Sequence, residues 1–324
     1  MISAGVDTGE LTQVTPHIAK IAIISPVRNE AEFIAGTLQS VVNQTVRPME
    51  WLIVDDGSTD ATAEIVRAFA DEHDWIRLVS KPDRGGRSVG PGVVETFYFG
   101  YEHLQSKDYD FICKLDGDVE FGPHYFATLL ELFAADRYLG AASGKPFQQA
   151  GDRLVEERSS DEMVAGMINF YRRDCFEAIG GFVREVHWDG IAFHRARMAG
   201  WRTCSLRHPE LNFIHKRVMG SSHKHVLVGR LRWGRGQYFM GTHPLYIFAI
   251  GLYRLWEKPS VVGGLTIVAG YFGAMLKGMP RYSDRRFRQS LHAWQFERMR
   301  LGQRLENLPP FSDRERVTPN VQGD

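Results

Sequence analysis

Short apolar runs alternate with stretches of helical periodicity over the first 145 residues. Four runs rich in β-branched and aromatic residues predict buried strands, at 21–26, 51–54, 76–80 and 111–115. Between them apolar residues recur every three or four positions, which predicts helices. Strands separated by helices of about a dozen residues are typical of βαβ units. The pattern therefore predicts an α/β fold with a mostly parallel sheet and flanking helices.

Polar residues directly follow three of the predicted strands. They are Pro26-Val-Arg-Asn-Glu30, Asp55-Asp56-Gly57 and Asp116-Gly117-Asp118. In parallel α/β sheets, ligands bind outside the carboxyl ends of the strands. We therefore expect these acidic segments to converge on one edge of the sheet.

The Asp116-Gly117-Asp118 segment is the main chemical feature. Two carboxylates two residues apart on a tight turn can address one divalent cation, and we expect Gly117 to supply unusual backbone angles. Mg²⁺ or Mn²⁺ takes oxygen ligands and commonly bridges a protein carboxylate to a substrate phosphate. The alternative is a solvated acidic turn, which an isolated Asp-x-Asp more often is.

Beyond residue 145 the pattern is weaker. Gly180-Gly-Phe182 predicts a helix end and turn, and residues 191–200 predict a short helix. Two windows of 18 residues, 236–253 and 259–276, contain no Asp, Glu, Lys or Arg. An 18-residue helix is about 27 Å long, slightly short of a ~30 Å hydrocarbon core. An interfacial or buried helix is therefore favoured over a membrane span.

The segment from 281 to 304 is rich in arginine with apolar residues interleaved, which predicts an amphipathic helix. Its polar face either is solvated or lies against anionic lipid. The pattern divides the chain into an N-terminal extension (1–19), an α/β domain (20–225), a helical extension with a candidate membrane contact (226–308) and a disordered tail (309–324).

Composition changes this picture little, but the order of the charges changes it considerably. The 324 residues carry 39 basic and 39 acidic side chains. Residues 1–194 hold 17 Lys and Arg against 31 Asp and Glu, whereas residues 195–235 hold 10 against the single acid Glu210. Such asymmetry indicates that different regions meet different partners. Three distant cysteines exclude a disulfide framework, and acidic residues near the N-terminus argue against a signal peptide, so we expect a cytoplasmic protein.

Four motifs together resemble a known family in order and spacing. They are Ile23-Ile-Ser-Pro-Val-Arg-Asn-Glu30, Ser40-Val-Val-Asn-Gln-Thr45, Leu52-Ile-Val-Asp-Asp-Gly-Ser-Thr-Asp60 and Lys114-Leu-Asp-Gly-Asp118. This set resembles the family 2 glycosyltransferases, which are inverting enzymes with a GT-A fold that use nucleotide-diphosphate sugars. The resemblance covers residues 20–205.

The resemblance implies roles for the residues at the strand ends. Asp56 would accept a hydrogen bond from the base, Asp116 would approach the ribose, and Asp118 would hold Mn²⁺ or Mg²⁺ on the diphosphate. Carboxylates suit the first two tasks because they accept hydrogen bonds, and a cation neutralises charge on the departing diphosphate. The residues implied to bind the nucleotide sugar are Pro26, Arg28, Glu30, Asp56, Asp116, Gly117 and Asp118.

An inverting transfer also needs a general base for the acceptor hydroxyl. In the family this is an Asp in a Glu-Asp pair, after Gly-Gly-Phe and before a helix ending Gly-x-Arg. By that resemblance Asp189 is the base, although Trp188 stands where the family has Glu. Asp189 is the only carboxylate between Glu185 and Glu210. The alternative is that Asp189 caps the following helix.

The basic segment after Asp189 adds candidate ligands for phosphate. We expect it to bind the diphosphate, an acceptor phosphate or a membrane surface, although a solvated face remains open. We expect Arg84 and Arg87, in a glycine-rich loop, to face the diphosphate. His215 is the candidate for a further metal ligand, although an exposed or otherwise satisfied histidine is the more common case. No nucleic-acid module accompanies the charge, so nucleic acid is not an expected partner. The basic residues are Lys216, Arg217, Lys224, Arg230, Arg232 and Arg235.

These features predict a metal-dependent inverting sugar transfer from a nucleotide-diphosphate sugar to a hydroxyl acceptor. The apolar and Arg-rich helices suggest a lipid-linked acceptor at the inner face of the cell membrane, in cell-surface polysaccharide or glycolipid assembly. Residues 230–236 contain no Gln-x-x-Arg-Trp, which weakens a processive synthase. The alternatives are a sugar nucleotidyltransferase, disfavoured by the sequence Val27-Arg-Asn-Glu30 after the first strand, and an inactive nucleotide-sugar-binding protein.

Overall fold

The computed structural model describes residues 19–86, 90–157, 159–217, 226–256 and 261–301. Nearly all of the predicted N-terminal extension and the whole predicted tail at 309–324 lie outside these residues.

A seven-stranded sheet forms the centre of the chain, in the order β10-β6-β9-β4-β1-β2-β3. The four predicted strands are β1 to β4, and they pair in parallel. β9 runs antiparallel between β4 and β6, so the sheet is mostly parallel, as predicted. The strands are β1 (Ile21–Val27), β2 (Glu50–Asp55), β3 (Ile76–Ser80), β4 (Phe111–Leu115), β6 (Leu139–Gly144), β9 (Ile168–Arg172) and β10 (Arg202–Leu206).

Both faces of this sheet are buried. Alternate residues of β1 and β2 point to opposite sides, so Ile23 and Trp51 join one core while Ile24 and Leu52 join the other. This explains why these strands read as continuous apolar runs in the sequence. α1, α2 and α4 cover the first face, and α3, α5 and α6 cover the second. The helices are α1 (Ile34–Val42), α2 (Thr62–Glu72), α3 (Pro91–Glu102), α4 (Tyr125–Ala135), α5 (Arg173–Ala178) and α6 (Trp188–Met198).

A second sheet of four short strands lies beside the end of β4, in the order β5-β11-β7-β8. β5 pairs antiparallel with β11, and this register places Val119 opposite His215. Since Val119 directly follows Asp118, the pairing brings His215 to the acidic turn. The strands are β5 (Val119–Phe121), β7 (Pro146–Ala150), β8 (Arg153–Glu156) and β11 (Phe213–His215).

Four helices form the C-terminal part of the described chain. They are α7 (Val226–Met240), α8 (Pro244–Tyr253), α9 (Val262–Leu276) and α10 (Arg285–Leu301). The first uncharged window spans two of them, because Gly241 turns the chain at φ 89° and Pro244 begins α8. In the part of the chain that is described, no helix combines the length and the apolar character needed to cross a membrane.

The Arg-rich helix α10 packs its apolar side onto the α/β domain. Phe287 and Leu291 join Ile191 of α6 in one buried cluster, and the Trp294 ring lies 4.9 Å from that of His194. The Trp294 indole N–H also donates to Glu162, at 3.1 Å. The predicted amphipathic helix is present, and its apolar stripe faces protein.

Glycines allow α7 and α9 to pack closely, and this predicts a strongly position-dependent effect of alanine. A Cβ on Gly270 would collide with the carbonyl oxygen of Leu231, whereas a Cβ on Gly273 would meet nothing within 4 Å. We expect Gly270→Ala to lower the free energy of unfolding by about 1–3 kcal/mol through overpacking. Gly273→Ala, on the same helix, should be neutral or stabilising by up to about 1 kcal/mol. Urea unfolding of both variants checks this, and equal effects would contradict the packing described.

The docking of α10 should weaken in acid through His194. Burial first, and then the charges of Arg197 and Arg298, hold the pKa of His194 well below its ordinary value. As the pH falls through about 6.5, His194 of the unfolded chain therefore binds a proton, whereas His194 of the folded chain stays neutral. The contribution of His194 to the free energy of unfolding is complete above pH 6.5. Below pH 6.5 this residue alone should lower the free energy of unfolding by about 1.4 kcal/mol per pH unit. His194→Gln should flatten the difference in unfolding free energy between pH 7.5 and 5.0, and an unchanged difference would be the contrary result.

Candidate functional site

The three polar segments of the sequence lie side by side at one edge of the central sheet. They follow β4, β1 and β2, which are neighbours in that order. The register places Val27 opposite Asp55, so the segments after these two strands begin at the same level. The edge is the carboxyl end of parallel strands, as the sequence predicts.

Basic side chains lie beside Asp116 and Asp118. Lys114 Nζ lies 2.5 Å from Asp116 Oδ1. Burial, together with the charge of Asp116, raises the pKa of Asp118, and His215 and Arg217 act in the opposite direction. The turn is therefore buried at Asp118, which is unlike the solvated acidic turn left open by the sequence.

The prediction that Gly117 adopts an unusual backbone angle is wrong. Gly117 is not among the residues with positive φ. Its requirement is space, since a Cβ would lie 3.0 Å from Ile34 Cδ1 and 3.1 Å from Val27 Cγ1. Glycine lets the Asp-x-Asp turn lie directly on α1 and β1.

His215 faces Asp118 and is oriented from behind by a carboxylate that sequence reasoning missed. Its Nε2 lies 3.8 Å from Asp118 Oδ2, and its Nδ1 lies 3.0 Å from Glu157 Oε1. Burial alone would lower the pKa of His215, but the hydrogen bond to Glu157 and the charges of Asp118 and Glu157 raise it. Glu157 follows the β7–β8 hairpin, 58 positions from His215, so no local pattern could reveal the contact.

Arg217 closes the same side of the site. Its guanidinium contacts both carboxylate oxygens of Glu30, at 2.6 and 2.7 Å, and lies 3.8 Å from Asp118 Oδ2. Lys216 instead pairs with Glu120 at 2.8 Å. Of the two adjacent cations, Arg217 is therefore the one at the acidic turn.

Asp56 lies beside a small cavity at the end of β2. Arg84 contacts its Oδ1 at 3.0 Å and Thr96 Oγ1 at 3.0 Å, while Arg28 donates to the Asp56 carbonyl oxygen. The cavity has a volume of about 40 Å³, room for little more than a few water molecules. Arg84 thus closes over Asp56. The cavity is lined by Pro26, Val27, Arg28, Asp56, Gly92, Val93 and Thr96.

A larger cavity of about 900 Å³ opens between α1 and the second sheet. Its lining includes Gln39, Phe147 and Phe213 and none of the residues predicted for the site. Cavity size therefore does not identify the candidate functional site in this chain.

Asp189 lies in the first turn of α6 and does not cap it. The N-cap is His187, at φ 64°, so the capping alternative for Asp189 is wrong. Asp189 Oδ1 accepts the N–H of Gly190 at 2.8 Å, and its Oδ2 would be 3.4 Å from a Cβ on Gly166. Gly166 also accepts a hydrogen bond from Lys114 Nζ, at 2.9 Å. Asp189 therefore lies next to the residues that hold the Asp116 turn.

Trp188 occupies the position before Asp189 as a buried ring. It packs against Phe182, with ring centroids 4.7 Å apart, and Lys114 Nζ lies 5.5 Å from its ring centroid. Lys114 thus contacts the acidic turn on one side and an aromatic face on the other. Sequence reasoning did not assign a role to Lys114, although it lies only two positions before Asp116.

The helical extension reaches this region through α7. A Cβ on Gly236 would lie 2.6 Å from His187 Nδ1, and the Trp233 ring lies 5.5 Å from that of His187. Burial lowers the pKa of His187. Arg87 and Lys224, both predicted to meet phosphate, lie outside the described residues.

Fold and site together define a nucleotide-sugar transferase fold of the GT-A type, with carboxylates at three adjacent strand ends. Residues 22–195 match the family model of glycosyl transferase family 2, which is more than half of the chain. The chain belongs to this family and is a glycosyltransferase.

Curated relatives and solved structures agree with this assignment. Glycosyltransferase AglE of Haloferax volcanii is 26% identical over 245 residues, covering 69% of this chain and 75% of that protein. Chondroitin synthase of Pasteurella multocida is 32% identical over 126 residues, which are 38% of this chain and only 12% of the synthase. The sequence is thus related to polysaccharide synthases but spans a small part of them.

Two solved structures show the same fold. The mannosyltransferase PcManGT from Pyrobaculum calidifontis, in complex with GDP-Man and Mn²⁺, has a TM-score of 0.51 at 16% identity, covering 87% of this chain and 86% of that one. GalNAc-T7 with UDP, GalNAc and Mn²⁺ has a TM-score of 0.55 at 12% identity, covering 89% and 57%. At these identities the likeness concerns the fold alone.

Proposed function

We propose that this glycosyltransferase moves a sugar, with inversion, from a nucleotide-diphosphate sugar to a hydroxyl acceptor in a reaction that needs Mn²⁺ or Mg²⁺. The observation that carries the proposal is the grouping of Asp118, His215 and Asp116 at one strand end, beside helix α6, whose first turn contains Asp189. Oxygen and imidazole donors at a diphosphate are what such a transfer requires.

The nucleoside is proposed to bind at the ends of β1 and β2. Asp56 accepts a hydrogen bond from the base, Asp116 from the ribose, and Pro26, Arg28 and Glu30 line the pocket. Gly117 belongs to the proposed donor-binding turn, where the absence of a Cβ lets the turn pack against Val27 and Ile34. Because Arg84 closes over Asp56 in this structure, it has to turn outward when a base enters, toward the diphosphate.

Asp118 and His215 are the residues that would hold the cation. In the described part of the chain no three His, Cys, Asp or Glu side chains form a metal cluster. Two protein ligands nevertheless fit, because Mg²⁺ and Mn²⁺ often complete their coordination with substrate phosphate and water. A cation held there would neutralise the charge that develops on the departing diphosphate.

Asp189 is proposed to accept the proton of the acceptor hydroxyl. The acceptor oxygen then forms a bond to the anomeric carbon while the bond to the diphosphate oxygen breaks, and the nucleoside diphosphate leaves with the electron pair. General bases of this kind contribute about 10²–10⁴-fold. Lys114 keeps the Asp116 turn beside Asp189 through its contacts with Asp116 and Gly166.

The acceptor is proposed to be lipid-linked, at the cytoplasmic face of a membrane, in cell-surface polysaccharide or glycolipid assembly. Two observations support this. Relatives include the poly-beta-1,6-N-acetyl-D-glucosamine synthase of Staphylococcus epidermidis, 30% identical over 131 residues. The helical extension packs on His187, two residues before the proposed base.

Replacing the proposed base should abolish turnover without abolishing donor binding. Thermal shifts with UDP, GDP and dTDP sugars in the presence of Mn²⁺ first identify the donor, since ligands that bind the folded state raise its stability. Asp189→Asn should then lower kcat by about 10²–10⁴-fold while the donor-induced shift persists. Glu185→Gln, on the same loop, is the matched control and should retain kcat. Unchanged turnover in Asp189→Asn would refute the assignment.

Loss of Glu157 should weaken metal binding. A carboxylate that accepts the second N–H of a ligating histidine fixes its orientation, and removing it costs about 10–100-fold in metal affinity. We expect Glu157→Ala to show this loss in Mn²⁺ titrations followed by electron paramagnetic resonance of free Mn²⁺, with nucleoside diphosphate present. Glu156→Ala removes the neighbouring carboxylate, which pairs with Arg207, and should bind Mn²⁺ normally. Equal affinities of the two variants would exclude the role of Glu157.

A further inference from the structure

One side of α8 is apolar and exposed. Leu245, Phe248 and Leu252 are spaced three and four residues apart, so they project from the same side of the helix. All three are at least 49% exposed. The opposite side of α8 supplies Ile247 and Gly251, which are buried.

α9 continues this surface. Val262, Leu265 and Leu276 lie on its outer side and are between 49% and 83% exposed. The two helices touch where Gly251 meets Gly264, and the rings of Phe248 and Phe272 lie 5.2 Å apart across the junction. We call the resulting surface the two-helix face: Leu245, Phe248, Leu252, Val262, Leu265 and Leu276. Contiguous exposed apolar surface of this kind marks an interaction site.

In the described part of the chain, cations are frequent beside the two-helix face. α8 and α9 contain no Asp, Glu, Lys or Arg. Directly after α9, residues 277–286 carry four exposed cations and one carboxylate, Asp284, which caps α10 through the Phe287 N–H. The cations are Lys277, Arg281, Arg285 and Arg286.

We propose that the two-helix face inserts into the headgroup region of an anionic lipid bilayer, with the cations of residues 277–286 contacting the lipid phosphates. Helices with an apolar side and adjacent Lys and Arg bind membranes in this way, lying in the interface without crossing it. A second copy of the chain fits less well, because two such faces would bring like charges together at their borders.

This orientation carries a consequence for the site. α9 packs on α7, and α7 contacts His187, so these two helices connect the bilayer surface to the segment that carries Asp189. The inference deepens the membrane contact proposed above and rests on it, but it does not depend on the transfer chemistry.

Flotation of the full chain with lipid vesicles tests the inference. Wild type should float with vesicles of equal parts phosphatidylglycerol and phosphatidylcholine in 50 mM salt, and several-fold less in 500 mM salt, because surface attraction is screened. Leu252→Glu combined with Leu265→Glu should lower binding by at least about tenfold, since two apolar side chains are lost from the interface. Reversing Lys277, Arg285 and Arg286 to Glu should remove the preference for phosphatidylglycerol over pure phosphatidylcholine.

Leu154→Glu combined with Val155→Glu is the matched control, because both residues are exposed on β8, away from the extension. It should float like wild type. All variants should keep the donor-induced thermal shift, which separates loss of membrane binding from loss of the α/β domain. Wild type that ignores anionic vesicles, or a Leu252/Leu265 variant that floats normally, would overturn the inference. So would a stable dimer in light scattering that the Leu252/Leu265 variant dissociates while vesicle binding is absent.

Discussion

The antiparallel pairing of β5 with β11 is the interaction on which the candidate site depends. It brings His215 across 97 positions of sequence to Asp118. Without it, Asp116 and Asp118 would be two like charges on a buried turn, and burial of an unpaired carboxylate is costly. With it, His215 and Arg217 approach Asp118, while Lys114 holds Asp116. Both basic side chains act against the rise in the pKa of Asp118 that burial causes, and so favour the carboxylate form that a cation binds.

Pairs of opposite charge also surround the acidic turn at greater distance. Glu157 lies behind His215, Glu30 lies behind Arg217, and Arg84 lies over Asp56. Each of these charged groups has a partner of opposite charge, so the side chains of the site form a connected network. A nucleotide sugar and a cation can replace some of these partners, and Arg84 is the clearest case because it contacts the proposed base-binding carboxylate.

The helical extension contacts the elements that form the candidate site. α10 covers α6 with Trp294, and α7 contacts His187 at the start of α6. The helix that carries Asp189 is therefore held from two sides by the extension. A membrane contact on the outer side of α8 and α9 would orient the site toward acceptors at the bilayer surface.

Strong apolar runs made β1 to β4 predictable, and the acidic segments at their ends followed from the rule for parallel sheets. The strands after residue 118 were not predicted, because β6 is rich in Gly, Ala and Ser, and β5 and β11 have three residues each. Glu157 was missed because its contact with His215 forms only when the β7–β8 hairpin packs beside β11. His215 could be selected from the sequence, but its contact with Asp118 depends on strand register, which local patterns do not fix. The limit is physical, because non-local pairing decides these contacts.

The central claim is that Asp118 and His215 hold a divalent cation against the diphosphate of the donor. Pulsed electron paramagnetic resonance of the Mn²⁺ complex with nucleoside diphosphate tests it most directly. We expect the Mn²⁺ echo to be modulated by a directly bound imidazole nitrogen and by phosphate phosphorus. The nitrogen modulation should be lost in His215→Phe and retained in His208→Phe. A Mn²⁺ complex with no imidazole nitrogen, or with a nitrogen signal unaffected by His215→Phe, would contradict it.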